Sequence, residues 1–84
     1  MRSFELAQHV VDHGVQLFRP TKDKPGEYDH KDFFTGSKRG WLALDAFSAS
    51  AILAVYKVMK PEIQTKFEVW PPQKQAAFAF KYVK

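Results

Sequence analysis

Pro20-Thr-Lys-Asp-Lys-Pro-Gly-Glu-Tyr-Asp-His-Lys-Asp-Phe-Phe-Thr-Gly-Ser-Lys-Arg-Gly40 is the stretch on which the fold turns. It mixes turn formers with both signs of charge and shows neither a helical nor an alternating period, so it reads as a long charged loop. Tyr28, Phe33 and Phe34 are available to pin such a loop down. The regular structure must then come from its flanks. On the N-terminal side, Ser3 can cap a helix whose apolar positions Leu6, Ala7, Val10 and Val11 share one face. Gly14 suits its end. Val15 to Phe18 either continue that helix or form a short strand. The partner available to such a strand is Trp41 to Leu44, just beyond the loop.

The C-terminal flank reads as helices. Asp45 or Ser48 can cap a segment from Ala46 to Met59, where small alanines and a bulky set of Ile52, Val55, Tyr56 and Met59 provide packing surface. Pro61 fits only the first turn of a new helix, with Ile63, Phe67 and Trp70 on one side, and Pro71-Pro72 end it. From Gln73 to Val83 the pattern fits both a helical stripe (Ala76, Ala79, Phe80, Val83) and a strand-like alternation. The Ala, Gln and Lys content of its first half favours helix. The expected architecture is mainly α: one small domain, 1–84, with an N-terminal helix in 1–19, the charged loop in 20–40 and a helical half in 41–84. It is a bundle of about four short helices around a long central loop or a short β-hairpin.

Composition bounds the function. With 84 residues there is room for one core and no second domain, and the absence of Cys excludes a disulfide framework, a thiolate metal site and a catalytic thiol. The apolar stretch Ala49 to Met59 is shorter than the ~20 residues a membrane span needs. The N-terminal residues lack the apolar centre of a signal peptide, so the expected location is the cytoplasm. Thirteen basic against nine acidic residues give a formal charge of +4. Six lysines against three carboxylates after residue 40 place the surplus in the helical half.

His9 and His13 sit four apart with Asp12 between them, so a helix projects both imidazoles from one face, with Asp29 or His30 within the loop's reach. The run has the outline of an inverted zinc-peptidase motif with Asp in place of Glu. A third ligand on a second helix and a substrate cleft are more than this chain can supply, and no metal or other cofactor is expected. Gly36-Ser37-Lys38-Arg39-Gly40 resembles an anion-binding turn but not a phosphate-binding P-loop, since Lys38 precedes the second glycine. Ser48 and Ser50 read as capping and packing residues, and no carboxylate pair suggests acid/base work; the chain is expected not to be an enzyme.

Two surfaces remain. Lys66, Gln73, Lys74 and Lys81, with Gln64 and Gln75 nearby, suggest a nucleic-acid face of helix-turn-helix type. Lysines offer point charges rather than arginine's bidentate fork, however, and the two prolines occupy the connection where a glycine turn is usual. The second surface follows from the aromatic content of 15%. Phe4, Phe47, Tyr56, Phe67, Trp70 and Phe80 are the expected core aromatics, whereas Tyr28, Phe33, Phe34, Trp41, Phe78 and Tyr82 are expected to stay partly exposed. Exposed aromatics beside Lys and Arg have the composition of a protein interface, so Phe33, Phe34, Lys38, Arg39 and Trp41 are the candidate partner-binding residues.

The segment Gly40-Trp41-Leu42-Ala43-Leu44-Asp45-Ala46-Phe47-Ser48-Ala49-Ser50-Ala51, continued by Val55-Tyr56, Lys66-Phe67 and Ala76-Ala77-Phe78-Ala79-Phe80-Lys81, resembles short accessory proteins of bacteriophages and prophages. The resemblance covers residues 40–84 and carries no transferable site residues. It implies a small module that binds and modulates or inhibits a host protein, with no membrane partner; a basic nucleic-acid-binding protein is the alternative, and self-association is a further possibility.

Overall fold

The computed structural model describes residues 1–82. In chain order it contains α1 (Ser3–His13), β1 (Gln16–Pro20), β2 (Tyr28–Asp32), β3 (Leu42–Leu44), α2 (Ala46–Lys57), α3 (Pro61–Glu68) and α4 (Pro72–Tyr82). The strands form one antiparallel sheet in the order β2-β1-β3. This corrects the mainly helical bundle expected above: the fold is a mixed α+β arrangement of four helices and a three-stranded sheet. Of the two states left open for Val15 to Phe18, Gln16–Phe18 are strand and pair with Leu42–Leu44 of β3, while Val15 precedes the strand and Trp41 precedes its partner. The error lies in the charged segment, which contains β2 and is therefore not one loop.

The reason is visible in β2 itself. Only Tyr28 of its five residues is apolar, so hydrophobic alternation cannot reveal it. What holds β2 is the ladder to β1, in register from Gln16 opposite Asp32 to Pro20 opposite Tyr28. The chain reverses between them over residues 21–27, where the Thr21 N–H donates to the Glu27 carbonyl at 2.9 Å. At the start of β2 the N-terminal segment adds a further contact, the Tyr28 N–H donating to the Met1 carbonyl at 2.7 Å.

Period-two geometry sorts the strand residues. Phe18, Tyr28 and Leu44 face inward and join Leu6, Ala7 and Val10 of α1, Ala49, Ile52 and Val55 of α2, Phe67 of α3 and Ala79 of α4 in one core. Phe18 and Tyr28 meet edge-on at 5.9 Å between ring centres. Leu17 and Arg19 point to the other face. Leu17 is nonetheless buried, so the outer face of the sheet is also partly covered.

Among the aromatics, Phe67 is in the core as expected, and the partly buried Phe4 and Tyr56 rings meet at a tilt, 4.2 Å between centres. Phe47 and Phe80 are corrected: they stack on each other at 5.7 Å at the surface, Phe47 being 70% exposed. Tyr28 is corrected in the opposite sense, because β2 carries it into the core.

Local chemistry fixes the helix ends. Asp45, not Ser48, caps α2: its carboxylate accepts from the Ser48 N–H at 2.7 Å. Ser3 does not cap α1. It is the first helical residue, Arg2 is the cap, and the Arg2 N–H is satisfied by Glu5 Oε1 at 2.9 Å. Ser3 instead donates to the Glu68 carbonyl at 2.9 Å and accepts from Gln75 Nε2 at 3.1 Å, while Gln75 also donates to the Phe67 carbonyl at 2.8 Å. This buried relay ties α1 to α3 and α4. Gly14 ends α1 at φ +91°, a backbone region that favours glycine. The last segment is helix through Tyr82, while Val83, assigned above to its stripe, lies outside the described residues.

Candidate interaction surface

The outer face of the sheet gathers most of the proposed partner-binding residues, and adds two that the sequence did not single out. Trp41 immediately precedes β3. Arg19 of β1 and Lys31 of β2 both lie over its ring, at 4.3 Å and 4.6 Å from the centroid. In the connection that follows β2, Lys38 sits over the Phe33 ring at 4.5 Å, and Phe33 meets Phe34 edge-on at 5.2 Å. Phe34 is 81% exposed.

The connection between β2 and β3 is shaped to present these groups. Lys31 Nζ donates to the Ser37 carbonyl at 2.7 Å, tying the loop back to the strand while its ammonium stays close to Trp41. Gly36 lies beside it at φ +65°, a backbone region that favours glycine. The Arg39 N–H donates to Ser37 Oγ at 3.2 Å, and the Trp41 N–H donates to the Lys38 carbonyl at 3.1 Å, closing a turn that leaves both the Lys38 and Arg39 side chains exposed.

Electrostatically this face is cationic. Arg19, Lys31, Lys38 and Arg39 stand against Asp29, which already accepts from Thr21 Oγ1 at 2.9 Å and Arg19 Nε at 3.3 Å. The Thr21 hydroxyl and the Arg19 guanidinium hold the Asp29 carboxyl below its usual range. A cation over an exposed aromatic ring gains about 0.5–1 kcal/mol. Its second effect is to restrict a long side chain before any partner arrives, which lowers the ordering cost of binding.

Arg19 and Lys31 escaped the sequence reading because their role depends on the register. Once β1 and β2 are known to pair, odd-numbered positions 17, 19, 29 and 31 fall on one face and point to this cluster.

The alternative face behaves differently. Lys66, Gln73, Lys74 and Lys81 are all exposed, and Lys74 and Lys81 are seven residues apart on one side of α4. Lys74 lies over the Trp70 ring at 4.3 Å. The neighbouring glutamines are not available as base readers: Gln75 is fully buried in the relay with Ser3, and Gln64 Nε2 donates to the Tyr56 carbonyl at 2.8 Å. Lys84, which adds to the basic count, lies outside the described residues.

The histidines do assemble. The His9 ring meets His13 at 4.4 Å and His30 of β2 at 4.8 Å in tilted contacts, forming a ladder across the α1–β2 junction. Asp12 accepts from Gln8 Nε2 at 3.2 Å. Among the described residues no three His, Asp or Glu side chains are disposed to hold a metal ion. Desolvation, followed by the neighbouring His13 and His30, pushes the His9 imidazole below its ordinary pKa, with Asp12 opposing.

Among the described residues no helix is long and apolar enough to cross a membrane. Comparison with family models, with curated proteins and with solved structures finds no match.

Proposed function

We propose that the protein is a small, non-enzymatic interaction module of phage type that acts in the host cytoplasm by binding an acidic surface of a host protein and occluding it. The observation that carries this reading is the outer sheet face, where Trp41 lies under Arg19 and Lys31 and Phe33 lies under Lys38. Aromatic side chains supply contact area at low entropic cost, and restrained cations steer and orient a partner's carboxylates. Phe34 and Arg39 stand free at the rim to complete the contact.

The same arrangement weighs against single-stranded nucleic acid as the ligand of this face. Base recognition without sequence preference needs open aromatic faces for stacking, whereas the Trp41 and Phe33 rings already carry cations. Nucleic-acid binding through Lys66, Gln73, Lys74 and Lys81 is the second reading, favoured by the alignment of Lys74 and Lys81 on α4.

The test is affinity capture from host lysate with and without nuclease, followed by titration of the captured protein against a Phe34→Ala/Lys38→Ala/Arg39→Ala variant. All three side chains are exposed, so the fold is retained. The expected result is a stoichiometric protein that survives nuclease and loses at least about thirty-fold in affinity with the variant, the equivalent of roughly 2 kcal/mol. Capture that vanishes with nuclease, or binding untouched by the triple substitution, overturns the assignment.

A further inference from the structure

The helical layer carries a second recognition feature, separated from the outer sheet face by the core. The end of α2, the turn after it, the first turn of α3 and the last two turns of α4 enclose a groove of about 260 Å³, lined by Val58, Met59, Lys60, Ile63, Phe78 and Tyr82. Its walls are apolar side chains left in contact with solvent: Val58 is 82% exposed and Tyr82 67%. Solvent-facing apolar groups clustered around one concavity mark a contact surface more often than scattered exposed residues do.

Size and charge define the occupant. Pockets for small organic ligands run to about 300–1,000 Å³ and hold several convergent polar groups. This one is smaller and its polar side-chain groups are the Lys60 ammonium and the Tyr82 hydroxyl, dimensions that suit one or two apolar side chains of a polypeptide. The three helices and the turns joining them carry exposed Lys57, Lys60, Lys66, Lys74 and Lys81. Their carboxylates are Glu62 and Glu68, and Glu68 accepts from the Tyr56 hydroxyl at 2.6 Å. A second copy of this basic chain would bring like charges together, whereas an acidic segment would find compensation at Lys60 in the groove wall and in the lysine surplus of the same three helices.

We propose that the groove is a second docking site, which receives the apolar stripe of an acidic amphipathic helix from a partner protein. Such a helix places apolar anchors at i, i+3 or i+4 and i+7 into the groove and a carboxylate over Lys60.

Fluorescence anisotropy with a labelled Leu/Glu amphipathic peptide tests this. Two controls accompany it: a peptide of the same composition with the stripe scrambled, and a Leu/Lys peptide. The expected result is saturable binding of the acidic amphipathic peptide alone, weakened by salt. Val58→Asn and Lys60→Gln should each reduce affinity at least roughly five-fold. Both residues are exposed, and unchanged near-ultraviolet dichroism will show that folding is intact. The Phe34/Lys38/Arg39 triple variant should bind the peptide normally, which separates this site from the sheet face. Absence of binding, equal binding of the scrambled peptide, or indifference to Val58→Asn overturns the proposal. So does a sedimentation mass that doubles with concentration and reverts to monomer in Val58→Asn, since the occupant would then be a second copy.

Discussion

His9 links α1 to β2 through its ring. It lies between His13 on its own helix and His30 on β2, so charging it places like charge against both neighbours, with Asp12 the one opposing carboxylate. Its pKa is depressed below the ordinary 6.5 in the folded chain. The unfolded chain therefore takes up its proton first as pH falls, and stability changes in proportion to the excess of protons bound by the unfolded state. The contribution is complete above 6.5, declines as pH drops through that value toward the lower folded pKa, and levels off below it. His9→Gln removes the titration and relieves the crowding. Urea midpoints measured between roughly pH 7.5 and pH 5 should fall less steeply for the variant than for the parent. Parallel profiles would show that the ladder contributes nothing to the pH dependence.

At the scale of the element, α2 depends on a single well-placed cap. Asp45 lies at the junction of β3 and α2, and its carboxylate holds the Ser48 N–H at 2.7 Å. Asp45→Ala should cost about 0.5–2 kcal/mol and Asp45→Asn much less, since the amide oxygen still accepts. Denaturant midpoints will check it, and equal losses for the two variants would mean that charge, not the hydrogen bond, is what matters. This cap was one of two that the sequence offered, beside Ser48, and Gly14 at the end of α1, Pro61 at the start of α3 and the helical state of α4 were legible, because each rests on chemistry within a few residues. Strand β2 was not. Tyr28, His30 and Asp32 alternate with Asp29 and Lys31 without an apolar period, and the strand exists because β1 offers it a ladder. The same blindness concealed part of the candidate surface. Phe33, Phe34, Lys38, Arg39 and Trp41 stood out by residue type alone, but the cations that pair with Trp41 come from strands whose pairing had to be known first. Phe47 and Phe80 were misjudged for a related reason: their helical spacing is compatible with the core, yet Ala49, Ile52 and Ala79 occupy the inner positions.

For the whole molecule, the consequence of the mixed fold is that the chain interleaves its two halves. β1, from the N-terminal half, is the central strand and pairs with β3 from the C-terminal half. α1 places Leu6, Ala7 and Val10 in the same core as Ile52, Val55 and Ala79, and the Ser3–Gln75 and Ser3–Glu68 hydrogen bonds cross between the halves as well. A bundle of helices trailing a long mobile loop would instead expose much of residues 20–40 to protease. The two arrangements predict different digestion patterns. Trypsin should cut first at Lys38 and Arg39 in the connection before Trp41, and at Lys22 in the β1–β2 turn, all of which are exposed and outside the strands. Lys31 should resist longer, because it sits within β2, with its ammonium held by the Ser37 carbonyl and the Trp41 ring. The nicked products should remain together on size exclusion under native conditions, since both the sheet and the core bridge the cut, and separate only in denaturant. Early cleavage at Lys31, or fragments that part without denaturant, would mean that the β1–β2 ladder is too weak to present the cationic face that the proposed function requires.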